Sequence, residues 1–256
     1  MQEEITSGRQ PTLEDALWLL SHKTALNAVS QVWYRPLTAT QIAQKGVASP
    51  ARAYFHLKTA WQAGFLSHHN SPFVSVWHRP ACYSALVEKV CLNFDVRKGN
   101  LDALIFGNSA EKIVSGIKLP TGHCEHTSNA CLLNHYFDAK PDSLEENDVP
   151  ALLNTDNMRL LTATSSAARS ARELSKYVDL YRANTYRHIR CLLAIGLLEE
   201  VGINHRAERS ESIYASRVRG IGATFDGTRR TVSVHFVGQQ KPINLITDFG
   251  RRNYFV

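Results

Sequence analysis

The sequence predicts an α+β fold, mainly α, built from two tandem units that share one plan. Three observations carry that expectation. The chain matches itself after a shift of 132 residues. In each copy, apolar residues at helical spacing give way to short β-forming runs. The 256 residues are 44% hydrophobic, enough for packed cores, yet no apolar run is long enough to span a bilayer.

The repeat is collinear over two blocks. Residues 41–66 lie on 173–198 without a gap, with Ala51/Ala183, Tyr54/Tyr186, His56/His188, Gly64/Gly196 and Leu66/Leu198 identical. After one residue of slippage, 83–107 lie on 214–238, where Tyr83/Tyr214, Val87/Val218, Phe94/Phe225, Asp95/Asp226 and Gly107/Gly238 coincide. These units divide the chain into a first unit over 1–107, an acidic and partly helical linker over 108–150, and a second unit over 151–256. Charge follows the same division. Lys+Arg against Asp+Glu stand at 10 to 7 in the first unit, 3 to 7 in the linker and 16 to 9 in the second. The basic excess therefore sits at the C-terminal end.

Taken in order, Thr12 is placed to cap a helix with Asp15 in its first turn, running to about Val32. Leu13, Leu17, Leu20, Thr24 and Ala28 form its buried face. "RPLT" breaks it, and Thr38 caps a short helix, "ATQIAQ". Ser49-Pro50 starts a third helix, since Ser supplies an acceptor and Pro lacks an N–H that the first turn would leave unused. Its apolar residues Ala53, Leu57, Ala60 and Trp61 lie on one face, and Gly64 suits a left-handed cap. Short strands follow in "FLSHHNSPFVSVW". Further strands are expected after Tyr83 and Tyr214, an extra β-hairpin-like element for each unit, with Asp226-Gly227 a clear turn.

Helix–helix–helix–strand–turn–strand is the plan of a winged helix-turn-helix. The stretch "PLTATQIAQKGVASPARAYFHLKTAWQAGFL" resembles the ArsR-like winged-helix transcriptional regulators of bacteria and archaea, through Ser49, "HLK" at His56–Lys58, and Ala63-Gly64. In the second unit "SARELSK", His188, Arg190 and Gly196 fit the same pattern. The resemblance covers roughly 18–80 and 155–213. It implies a tandem-repeat, DNA-binding protein, acting as a transcription regulator on double-stranded DNA, with the two units as an intrachain pseudo-dimer.

In such a fold the third helix enters the major groove. Its outward positions here are Arg52, Phe55 and Lys58, and in the copy Asn184, Arg187 and Arg190, with Arg182 at the helix start. Arg can bridge guanine edges and Asn adenine, while cations at the periphery neutralise phosphate. Phe55 suits either a thymine methyl or a protein partner. Tyr54 and Tyr186 flank this face. The resemblance implies a phosphate or structural role for His56 and His188. Wing residues Arg206 and Arg209 add a second set of candidate contacts, and Arg251 and Arg252 lie in a basic, aromatic tail.

Two other readings remain open. A winged-helix scaffold would bind protein, or a second copy, in a larger assembly. A metal-responsive regulator would use His123, Cys124, His126, Cys131 and His135 of the linker, with zinc the candidate cofactor. No CxxC or HExxH spacing supports that metal set. Five cysteines without such a pair, behind a polar N-terminus, predict reduced thiols and a cytoplasmic or nucleoid-associated protein without a membrane partner. No phosphate-binding glycine loop and no G-x-S-x-G elbow is present, so the sequence predicts no enzyme.

Overall fold

The computed structural model describes residues 6–7, 9–70, 81–107, 112–119, 144–204 and 210–249. In the first half, strand β1 (Thr6–Ser7) precedes helices α1 (Leu13–Ser21) and α2 (Lys23–Val32). Strand β2 (Leu37–Thr38) then leads into helices α3 (Ala39–Gln44) and α4 (Pro50–Gln62). Strands β3 (Leu66–Asn70), β4 (Ala81–Ala85), β5 (Val87–Asp95), β6 (Asn100–Gly107) and β7 (Lys112–Lys118) complete it. The second half opens with a 3-10 turn at Glu146–Asp148 and a one-turn helix α5 (Val149–Leu152). Helix α6 (Thr155–Ser165), strand β8 (Arg169–Ser170) and helices α7 (Ala171–Tyr177) and α8 (Arg182–Ala194) follow. Strands β9 (Leu198–Asn204), β10 (Glu211–Ser216), β11 (Val218–Phe225), β12 (Arg229–Phe236) and β13 (Ile243–Asp248) close the described chain.

Local chemistry explains most helix limits. Thr12 with Asp15, and Thr38 with Gln41, form capping boxes in which each partner satisfies an orphan N–H of the other's turn. Ser49 Oγ accepts from the Arg52 N–H, and Pro50 occupies the first helical turn. At the far end of α4, Gly64 takes φ +84° and the Phe65 N–H reaches back to the Ala60 carbonyl at 2.9 Å. The same closure recurs at Gly196, with the Leu197 N–H on the Leu192 carbonyl at 2.9 Å. The expected single helix from Thr12 to Val32 is instead two. His22 has extended backbone, and its Nδ1 lies 2.8 Å from the Trp18 carbonyl, so a side chain occupies the end of α1.

The fold is not mainly α. Helix and strand take nearly equal shares of the described residues, and the strands form three antiparallel sheets, the largest of six strands. Two smaller sheets, β1-β3-β4-β2 and β8-β10-β9, lie beside the helices of their own halves. The extra strands expected as a separate hairpin after each unit join instead into one sheet, ordered β13-β12-β11-β5-β6-β7. Strand β7 falls within the segment read as linker.

The junction of that sheet is self-complementary. At the centre of the β5–β11 ladder Leu92 pairs with Ala223, its own counterpart in the repeat. Val90 pairs with Phe225 and Phe94 with Ile221, and those pairs interchange when the two units are swapped. This is the pairing pattern of an isologous dimer interface, made within one chain. Two contacts carry the pseudo-twofold relation into the helices. Trp33, at the end of α2, packs edge-on against Phe225 at 5.0 Å between centroids, and a Cβ on Gly227 would stand 2.2 Å from its indole. The corresponding residue at the end of α6, Ser165, donates to the Val96 carbonyl at 3.4 Å. Each unit's second helix thus ends on the other unit's strand turn. The sequence register fails at these turns. Phe94 opposes Leu101 while Phe225 opposes Arg230, so the second turn is two residues shorter and Gly107 does not match Gly238.

That shortening puts Arg230 where the first unit has Leu101. Its side chain is 1% exposed. The guanidinium donates to the Leu20 carbonyl at 2.7 Å, in the last turn of α1 where no intrahelical partner remains, and to the carboxylate of Glu146. Thr247 Oγ1 donates to the other Glu146 oxygen, and Lys23 Nζ lies 3.9 Å from that carboxylate. Burial lowers the Arg230 pKa and Glu146 opposes that shift. One arginine therefore joins α1, the segment entering α5, and the sheet.

Glu146→Gln should destabilise the chain by about 3 kcal/mol in urea unfolding, because it leaves a buried cation without its counter-charge. The pair Arg230→Leu with Glu146→Leu should cost much less than that single change. Equal stability of Glu146→Gln and wild type would remove the ion pair from this role.

Candidate nucleic-acid interface

Helix α8 buries Thr185, Ile189 and Leu192 and leaves its opposite side to solvent. Arg182, Asn184, Tyr186, Arg187 and Arg190 are all exposed along that side. Three of these five are cations, and the spacing of 184, 187 and 190 keeps them on one stripe. Arg182 is partly engaged: its Nη2 lies 3.3 Å from Glu211 Oε1, and its guanidinium stands 5.8 Å from the Tyr186 ring centroid. Glu211 belongs to β10, so the hairpin carries a counter-charge to the helix start. Tyr181 precedes the helix with 79% exposure and no capping bond, an aromatic that residue spacing alone did not single out.

Helix α4 buries Ala53, His56, Leu57 and Ala60. Arg52, Phe55, Lys58 and Gln62 are exposed, as their spacing predicted, whereas Trp61 is only half-buried. Phe55 is 59% exposed and Tyr54 48%. Lys58 Nζ sits 5.9 Å from the Tyr54 centroid, so this tyrosine is partly covered by the neighbouring cation. Behind it Trp61, His68 and Tyr83 make a chain of ring contacts at 5.3 and 5.5 Å between α4 and the β3–β4 hairpin.

The histidines belong to the packing rather than to the outer face. His56 is 8% exposed, and its Nδ1 has no hydrogen-bond partner among the described residues. His188 is half-buried; its Nδ1 is 2.7 Å from Asn157 Oδ1, and its Nε2 is 4.0 Å from Asp156 Oδ2. The first unit has Ala25 and Thr24 at the corresponding positions, which is why His56 lacks that partner. Neither ring is presented as a phosphate contact.

Beside α3, Arg35, Leu37, Gln41, Gln44 and Lys45 line a cleft of about 330 Å³. The first helix of a helix-turn-helix crosses the nucleic-acid backbone, so Arg35 and Lys45 join the candidate set. Their signal in the sequence was two cations bracketing "ATQIAQ". Arg206, Arg209, Arg251 and Arg252 lie outside the described residues, as do His123, Cys124, His126, Cys131 and His135. Among the described residues no group of three His, Cys, Asp or Glu side chains could hold a metal ion. Cys82, Cys91 and Cys191 are free thiols. No helix among the described residues is long and apolar enough to cross a membrane.

Burial lowers the pKa of both histidines. For His56, His22 and Arg52 add to the shift; for His188, Asp156 opposes it and Arg187 adds to it. The unfolded chain therefore takes up these protons near pH 6.5, before the folded chain does. Their contribution to stability is fully present above that pH and is lost as pH falls. Thermal unfolding should show Tm declining from pH 7 to 5, less steeply in His56→Leu. A pH-independent Tm would contradict this. The chain matches no family model and no curated protein.

Proposed function

We propose that this chain binds double-stranded DNA as a single-chain pseudo-dimer and serves as a transcriptional regulator of the ArsR-like winged-helix type. The observation that carries the reading is the exposed stripe Asn184, Arg187 and Arg190 on α8, opposite a buried face of Thr185, Ile189 and Leu192. A stripe of cations and an amide at i, i+3 spacing suits base edges and flanking phosphates together. Two further features support it. In both halves, helices followed by an antiparallel hairpin follow the winged-helix order. The self-complementary β5–β11 ladder relates the two halves as subunits of a dimer are related, which suits two helices to successive major grooves.

A second reading has its own observation. Phe55 is exposed on α4 where α8 carries Arg187, and an exposed aromatic also suits a protein partner. In that case the chain would be a scaffold in a larger assembly.

Fluorescence anisotropy with duplex DNA at stepped salt separates the two. Duplex binding should weaken steeply with salt. Arg187→Ala with Arg190→Ala should lower affinity at least about tenfold, and the salt slope should fall by about 1 for each phosphate no longer neutralised. Unchanged affinity in that double variant would remove α8 as the reading helix. Absence of duplex binding even at low salt would favour the scaffold.

A further inference from the structure

We infer that the two reading helices specify unlike bases at symmetric positions, with Phe55 reading a thymine methyl group where Arg187 reads guanine. This deepens, and rests on, the DNA-binding reading above.

Positions 55 and 187 correspond in the repeat, and their helices end in the same backbone closure at Gly64 and Gly196. The β5–β11 ladder pairs the two halves about its own midpoint, and α4 and α8 hold corresponding places in those halves. What differs is chemistry. On α4 the outward row is Arg52, Phe55, Lys58; on α8 it is Asn184, Arg187, Arg190. The third position is cationic in both and suits phosphate. The first and second positions differ.

Phe55 is 59% exposed and stands edge-on to the His56 ring, 5.4 Å between centroids. Its neighbours one turn either way are Arg52 and Lys58, both exposed. An aromatic between two cations is a single apolar group within a basic row. It does suit a groove lined by phosphates in which one feature is apolar. In the major groove that feature is the thymine C5-methyl, whereas Arg makes its paired hydrogen bonds to guanine O6 and N7. Arg52 and Asn184 extend the contrast, suiting guanine in one arm and adenine in the other. The preferred duplex is therefore directional: its arms are inverted in position but unlike in sequence.

The test uses the full chain and duplexes selected by it from a random library. Arg187→Ala identifies the arm read by α8, because specificity relaxes there. In the other arm each thymine is replaced singly by deoxyuridine, which removes only the methyl. One such replacement should weaken wild-type binding about fourfold, the worth of one buried methyl, and should have no effect on Phe55→Ala. Phe55→Arg should shift that position toward guanine and make the selected site more symmetric. Phe55 is exposed, so circular dichroism should show both variants folded. If every deoxyuridine duplex binds as tightly as its thymine parent, or if Phe55→Ala keeps the methyl effect, the inference is overturned while the DNA-binding reading stands. Failure to select any duplex overturns both.

Discussion

The β5–β11 ladder is the constraint on which the rest of the molecule depends. Leu92 faces Ala223, the residue that replaces it in the second unit, so the ladder is centred on its own symmetry point. Two counterpart strands that pair about a two-fold axis run antiparallel, and every strand added outward on one side then has a partner on the other. The six-stranded order β13-β12-β11-β5-β6-β7 follows from that single junction. The inward residues Val90, Leu92, Phe94, Ile221, Ala223 and Phe225 are all buried, so a one-residue slip would turn the set outward. Register at the symmetry point is thus held by the hydrophobic effect rather than by any special contact.

Symmetry of backbone coexists with asymmetry of side chains. Trp33 on Gly227 and Ser165 on Val96 are the same crossing contact, yet one is a large aromatic over a bare backbone and the other a single hydroxyl bond. Arg230 stands where the other unit has Leu101, and draws α1 and Glu146 onto one side of the sheet. A duplicated chain is free to differentiate in this way, because each position is encoded twice. The outer faces of α4 and α8 have diverged under the same freedom, and the directional DNA site proposed above would be the functional counterpart of that divergence.

What could be read from the sequence was what local chemistry decides. Thr12, Thr38 and the Ser49-Pro50 pair mark helix starts because caps act within three residues, and Gly64 marks an end because φ +84° suits glycine. The outward placement of Arg52, Phe55, Lys58, Arg187 and Arg190 followed from helical period alone. Non-local features were not legible. The join of β5 to β11 brings together residues more than a hundred positions apart, and nothing in either strand marks its partner. His22 gave no sign of splitting the first helix, because its residue type does not disclose that its ring lies against the Trp18 carbonyl. The two-residue difference between the strand turns was hidden by Gly107 and Gly238, a coincidence of identity. Burial of Arg230 and His56 ran against residue type, and that of Arg230 is explained only by Leu20 and Glu146 from other elements.

The central claim is that one chain presents two helices as a dimer would. The most direct measurement is a hydroxyl-radical footprint on a selected duplex, read together with the stoichiometry of the complex in solution. One chain per duplex should protect two segments on one face of the DNA, about one helical turn apart. Protection of a single segment by one chain, or two segments only when two chains are bound, would contradict it.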